Sequence, residues 1–290
     1  MKTLSLLLAL ALSATASAKT ASDALVAQTL AKHYPIKQEA GQRLKERSEG
    51  KESQCNYVLV RDAEDENEYC MRLHSETRDS SGKRRYLLFT GRNLNDGHAA
   101  GGLVSLFVFS GNGEQWQEVA HGYTAAGGWG EAPDEWQWQG FGPGYWGALG
   151  RSGYSQGGAL EETFVILHDE GDRVSSNAIL ATSSYEGLCA AEDEDCRWES
   201  EAEANEQLAN TSDLQATLNI RRDLAPVSNT WPLEISVSGY AGRKVSGREA
   251  NGTFRLAPVK EYRQEKFLFP YDAAKHDYQT PGDYPLRMDW

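Results

Sequence analysis

The chain has 290 residues, with 42 acidic against 29 basic side chains, a formal net charge of −13 and eight tryptophans. This acidity disfavours nucleic acid and anionic membrane surfaces as partners, because both would be repelled. The length fits one large domain or two small ones, and four cysteines suit an oxidising compartment.

The first 18 residues, MKTLSLLLALALSATASA, have the three parts of a secretory signal peptide in order. Lys2 supplies the charge, Leu4 to Leu12 the apolar run, and Ala16-Ser17-Ala18 the small-residue cleavage site. No later segment approaches the roughly 18 apolar residues of a membrane helix, so stable membrane insertion is not expected. The mature chain would be exported and soluble, in the periplasm or secreted.

Residues 19–50 read as a helical segment and linker. Ser22 is an N-cap candidate, and Leu25, Val26, Leu30 and Tyr34 fall on one helix face. Pro35 breaks the run, and a second, weaker helical pattern fades into a charged linker. Residues 51–290 read as a β-rich domain, with a candidate sub-boundary near 190–213.

From Cys55 the hydrophobic period becomes two. CNYVLV and EYCMRL flank the acidic turn RDAEDEN, and RRYLLFTG follows. LVSLFVFSGNGEQWQEVA, ETFVILHDEGDRVSSNAIL and PLEISVSGYAGRKVSGREANGTFRLAP each combine strand patterns with a glycine-containing turn, a hairpin signature. The fold class is therefore mainly β: an antiparallel, hairpin-rich sheet, either sandwich or meander, with an N-terminal helical segment. The acid-rich stretch before Asp213 reads as a solvated face whose later part is helix-like.

Cys55 with Cys70 and Cys189 with Cys196 each flank a polar, turn-like segment, so two local disulfides are expected. Neither pair has C-x-x-C spacing, which argues against zinc. The six histidines form no H-x-x-x-H or H-x-H pair. The acidic turns at Asp62, Glu64, Glu66, Glu68 and at 192–195 lack the glycine of a calcium loop. No metal or cofactor is expected. Asn210-Thr211-Ser212 and Asn251-Gly252-Thr253 are glycosylation sequons.

Gly153-Tyr154-Ser155-Gln156-Gly157 fits G-x-S-x-G, and these five residues resemble the nucleophile elbow of cutinase-type esterases. The resemblance implies a serine hydrolase with Ser155 as nucleophile. His276 would be the base, with Asp272 or Asp223 orienting it. The flanks read differently. Glycines and a proline precede the motif where an apolar strand is needed, and TFVIL then HDEGD read as strand and turn rather than helix. The expectation is a glycine-rich connection between strands, with a secreted serine esterase as the alternative.

Residues 127–158 hold four tryptophans: Trp129, Trp136, Trp138 and Trp146. In EWQWQ, Trp136 and Trp138 share one strand face, and core packing is the usual fate of such a face. The functional reading is an aromatic platform on which sugar rings stack, with Glu135 and nearby carboxylates and amides accepting hydroxyl hydrogens. Glu131 with Asp134 or Glu135 could in principle form an acid–base pair, but neighbours in one loop seldom flank a glycosidic bond. The last residues, DYPLRMDW, resemble the C-terminal strand of outer-membrane barrels, although Pro285 interrupts the ladder. The sequence thus points to a non-catalytic envelope protein that binds a glycan or another protein.

Overall fold

A computed structural model describes residues 23–34, 55–62, 65–95, 100–112, 115–156, 159–185, 198, 200–209, 211–250 and 254–286. Helix α1 (Asp23–His33) precedes strands β1 (Asn56–Asp62), β2 (Asp65–Arg78), β3 (Arg84–Asn93), β4 (Gly102–Asn112) and β5 (Gln115–Ala126). Next come β6 (Trp136–Gly142), β7 (Tyr145–Gln156), β8 (Ala159–Asp169) and β9 (Val174–Ser184). Helix α2 (Glu201–Leu208) leads to β10 (Ser212–Ile220), β11 (Leu233–Arg248) and β12 (Phe254–Phe269). A short pair, β13 (Tyr271–Asp272) and β14 (Asp277–Tyr278), ends the series.

The strands form two open antiparallel meanders, ordered β1-β2-β3-β4-β5 and β12-β11-β10-β9-β8-β7-β6. The expected mainly β, hairpin-rich fold is what the chain adopts, and meander and sandwich are both realised. The inter-sheet core takes Tyr86, Leu88, Val104, Leu106, Val108 and Ala120 from the first sheet and Ala148, Val165 and Leu167 from the second.

Each sheet also buries its outer face. Val26, Leu30 and Tyr34 of the N-terminal segment cover Met71, Leu87, Phe89, Leu103 and Phe107. On the far side, Tyr271, Tyr278, Tyr284 and Leu286 cover Phe164, Ile166, Ile235, Val237 and Phe267. The molecule is therefore layered as helix, sheet, sheet and C-terminal strap. β4 is buried on both faces, which is why its sequence is a continuous apolar run and not an alternation. β12 is an edge strand whose exposed positions carry Lys260, Glu261, Arg263, Glu265 and Lys266, charges that disfavour edge-to-edge pairing.

The Cys55–Cys70 disulfide is present and joins the start of β1 to β2. The second expected disulfide, Cys189 with Cys196, lies outside the described residues, as do the signal-peptide-like leader, the second helical pattern after Pro35, Asn210 and Asn251. β10 pairs with β9 through Asp213↔Ser184, so one sheet continues across the 190–213 region. α2 begins at Ser200, whose hydroxyl accepts the Glu203 amide at 3.2 Å as an N-cap. Tyr284 and Leu286, from the barrel-like terminus, are buried in the strap, where the Tyr284 hydroxyl donates to the Leu180 carbonyl at 2.6 Å.

The glycine-rich stretch before Ser155 is a correction. It is not a connection: residues 145–156 form β7, paired with β6 and β8 along its length. Its glycines mark close approach. A Cβ on Gly150 would sit 2.8 Å from the Trp136 ring, so glycine lets that indole lie flat on the neighbouring strand.

Candidate functional site

The four clustered tryptophans divide three to one. Trp136, Trp138 and Trp146 are partly buried and pack on the inter-sheet core. The Trp136 indole donates to the Pro133 carbonyl at 2.8 Å, and the Trp138 ring centroid lies 6.2 Å from that of Tyr86. The Trp146 amide donates to the Tyr86 hydroxyl at 3.2 Å. Trp129, by contrast, is 65% exposed. Glu135 is exposed at the entry to β6.

Trp129 sits on a two-residue turn closed by the Glu131 amide donating to the Gly128 carbonyl at 3.0 Å. Trp129 and Gly130 have φ of 57° and 79°, the signature of a type I′ turn. Such turns select Asn, Asp and Gly, because a Cβ at positive φ crowds the backbone. The second turn of this kind, closed between Val227 and Thr230, carries Ser228 and Asn229. An exposed indole in that conformation is strained by roughly 1–2 kcal/mol and gains little burial in return. Strain of this kind concentrates at functional sites.

The turn is clamped between the sheets. The Asn93 amide donates to the Gly130 carbonyl and the Gly130 amide to the Ala100 carbonyl, both at 2.7 Å. On its other side the Gly127 amide donates to the Ser152 hydroxyl of β7 at 2.7 Å. A Cβ on Gly127 would fall 1.9 Å from the Glu131 carbonyl oxygen, so the turn can close this tightly only with glycine there.

Beside the turn, β2, β3 and the 131–134 loop enclose a groove of about 440 Å³. Cys70, Arg72, Thr90, Gly91, Arg92, Glu131, Ala132 and Asp134 line it. Arg72 pairs with Thr90 and Cys70 with Arg92 across the strands, so these four share one sheet face. Arg92 and Glu131 form an ion pair at 3.1 Å, both more than half exposed, which is worth little in stability. Among the described residues the Arg72 side chain makes no hydrogen bond or ion pair. The His74 pKa is lowered by burial, with the Asp134 carboxylate pulling the other way. Glu131 and Asp134 belong to one loop and one wall, not to opposite sides of a bound bond. A second hollow of about 220 Å³ is lined by Tyr154, Ala159, Glu161 and Tyr185. Burial and the Glu161 carboxylate that accepts its hydroxyl hold the Tyr185 phenol up, at about 12, with the hydrogen bond the larger cause.

The residues of the esterase alternative are not brought together. Ser155 is exposed near the end of β7, opposite Leu160 at the start of β8, and a strand rather than a helix follows. His276 lies at the other end of β8, its Nδ1 2.7 Å from Glu170 Oε2. From Leu160 to Asp169 the strand runs roughly 30 Å. Asp272 caps the turn that carries His276, accepting the Ala274 amide at 2.9 Å, and Asp223 pairs with Arg221 at 2.6 Å.

Two histidine clusters escaped the sequence reading. Glu170 accepts hydrogen bonds from Ser175 and Tyr271 and meets His276, latching the C-terminal strap to the β8–β9 turn. Beneath it His168 is fully buried, with neither ring nitrogen hydrogen-bonded among the described residues. On the opposite face the Tyr34 hydroxyl lies 2.8 Å from Ser105 Oγ and 3.0 Å from His121 Nε2, while His33 meets Glu118 at 2.6 Å. Burial pushes both His121 and His168 down to about 3. The polar triplet HDE closing an apolar strand was the sequence signal for the first cluster. The second needed the helix docked to be visible.

Among the described residues no group of three or more His, Cys, Asp or Glu is placed to hold a metal, and no helix is long and apolar enough to cross a membrane. The side chains of Asp62, Glu64 and Glu66 and the 192–195 run lie outside the described residues. No known protein family, curated protein or solved structure matches the chain.

Proposed function

We propose that the chain is an exported, non-catalytic binding protein of the cell envelope, and that its ligand is a glycan held at Trp129 and the adjoining groove. The observation that carries this reading is the exposed indole at positive φ, clamped from both sheets. A rigid, solvent-facing aromatic beside polar groups is what stacking on a sugar ring needs, with the groove's hydroxyl, guanidinium and carboxylates meeting the sugar's hydroxyls. The leader sequence and the Cys55–Cys70 disulfide support export. A serine esterase through Ser155 and His276 finds no support in their separation.

Titration of the mature protein with envelope saccharides, followed by intrinsic tryptophan fluorescence, tests the reading. A saturable shift that disappears in Trp129→Ala is expected. Saccharides that bind equally to both proteins would move the site elsewhere, and labelling of Ser155 by a fluorophosphonate probe would reinstate the esterase.

A further inference from the structure

His168 lies wholly inside the molecule, and neither ring nitrogen makes a hydrogen bond among the described residues. The rings of Phe141, Tyr271 and Tyr278 surround it at 5.4, 5.5 and 5.9 Å. A phenylalanine would fill such a site without leaving a donor and an acceptor unmet in the interior. What imidazole adds there is the capacity to take a proton. Burial opposes that proton while the strap is closed, with the nearby His276 a lesser cause.

The anion nearest to such a proton is already in use. Glu170 Oε1 lies 3.7 Å from His168 Nε2, too far for a hydrogen bond. That oxygen accepts from Tyr271 and Ser175, while Oε2 meets His276 Nδ1 at 2.7 Å. An imidazolium at position 168 therefore has two ways to be satisfied. It draws Glu170 inward, away from Tyr271 and His276, or it reaches water, for which Tyr271 and Tyr278 must lift. Both undo the same fastening.

No other charged neighbour substitutes for Glu170. Asp277 is engaged by Asn177 Nδ2 at 2.8 Å, Asp272 caps its own turn, and Lys275 turns to Gln279 at 3.4 Å. Asp169 and its partner Arg84 lie on the other face of β8. A proton on His276 tightens its pair with Glu170, so it opposes opening. The far half of the strap is held separately, by the neutral bond from the Tyr284 hydroxyl to the Leu180 carbonyl at 2.6 Å.

We propose that residues 271–279 form an acid-operated latch, independent of the glycan site. A proton on His168 takes Glu170 from Tyr271 and His276, and the near half of the strap lifts while its far half stays anchored at Tyr284. The apolar surface around Phe141 is then uncovered. The closed state binds fewer protons than the open one, so opening grows as pH falls below the ordinary histidine range, by up to about tenfold per unit.

Native-state amide exchange of the mature protein between pH 7 and 5, corrected for intrinsic rates, tests this. The Gln279 amide, bonded to the Pro270 carbonyl at 2.9 Å, and its neighbours in 271–279 should lose about tenfold or more in protection. At pH 5 they should remain about tenfold less protected than the amides of β4. H168F and H168Q should each abolish the loss at 271–279, and the glutamine variant carries the test if the phenylalanine variant does not fold. E170Q should lower protection there already at pH 7, and H276N should leave the acid response in place. Equal protection of the strap and β4 at pH 5 would mean that the strap opens only with the whole fold, which overturns the latch. A loss that persists in a folded His168 variant, or that disappears in H276N, overturns His168 as the group that works it.

Discussion

The Gly127 amide donates to the Ser152 hydroxyl at 2.7 Å, and through this bond the turn that carries Trp129 is tied to the second sheet. The other anchors of the turn, Asn93 and Ala100, border strands of the first sheet. Ser152→Ala leaves the partly buried amide without its acceptor. A loss of about 1–2 kcal/mol is expected from the urea midpoint. Faster amide exchange at residues 127–130, with the β4–β8 core still protected, would locate the effect in the turn. Uniformly faster exchange would show that the bond supports the whole sandwich instead.

Trp129→Asn should have the opposite effect on stability. Asparagine tolerates the left-handed region far better than tryptophan, and the side chain it replaces is mostly solvent-exposed. A gain on the order of 1 kcal/mol in urea unfolding is expected, together with loss of saccharide binding. A variant that is less stable would mean that the indole is retained for packing, and the functional argument from strain would fail with it.

Much of this architecture was legible because hydrophobic period reports burial directly. β4 from Leu103 to Phe109 and β8 from Phe164 to Leu167 are nearly continuous apolar runs, and β12 alternates only near Phe267 and Phe269 where the strap covers it. The hairpins and the local Cys55–Cys70 bridge followed from turn chemistry and spacing. β7 was illegible because its glycines, read locally, are breakers. Gly150 is there for the Trp136 ring, a neighbour identified only once β6 and β7 pair. For the same reason the sequence placed Trp136 and Trp138 on one strand face but could not separate Trp129 from Trp146: exposure depends on which strand or turn each occupies.

Acidification should destabilise the fold before carboxylates titrate. His121 and His168 are held neutral by burial, with folded values near 3 against an ordinary 6.5. Their folded values are depressed, so the unfolded chain binds more protons between these limits. Stability is full above about pH 6.5 and falls as pH drops toward 3, by roughly 1.4 kcal/mol per unit for each histidine. Around His168 stand Glu170, Tyr271 and Tyr278, with His276 beyond; around His121 stand Lys32, His33, Tyr34 and Tyr123. The urea midpoint measured between pH 7 and 5 should fall, and His168→Phe should flatten that slope. Phenylalanine preserves the ring contacts with Phe141 and Tyr271 and removes two unsatisfied nitrogens. An unchanged slope in His168→Phe would assign the effect elsewhere.

Reduction should loosen the first sheet at its edge. The Cys55–Cys70 bridge spans 15 residues and closes the β1–β2 hairpin, a loop for which chain entropy gives about 3 kcal/mol. The double variant Cys55→Ser, Cys70→Ser should lose about 2–3 kcal/mol, with exchange protection falling first at Val58 and Val60. Those side chains lie under α1, so the helix should lose protection with them. Loss confined to β1 while α1 stays protected would show that the helix is held by β3 and β4 instead.

Arg84 and Asp169 tie the two sheets together at the opposite end of the sandwich. The guanidinium reaches from β3 to the fully buried carboxylate at the end of β8, 2.5 Å away. The Tyr86 hydroxyl at 3.1 Å and the Gly171 amide at 2.7 Å also donate to that carboxylate. Burial raises the Asp169 pKa despite these partners, so removing the arginine strands a charge that is already disfavoured. Arg84→Ala should cost on the order of 3 kcal/mol at pH 7. Because the folded value is raised, protonation in the native state relieves the penalty, and the loss should shrink as pH falls toward 5. Arg84→Ala combined with Asp169→Asn should be more stable at pH 7 than Arg84→Ala alone. If the double variant is no better, the arginine matters for its packing on the Tyr145 ring, 4.8 Å from its Cζ, and not for the charge it neutralises.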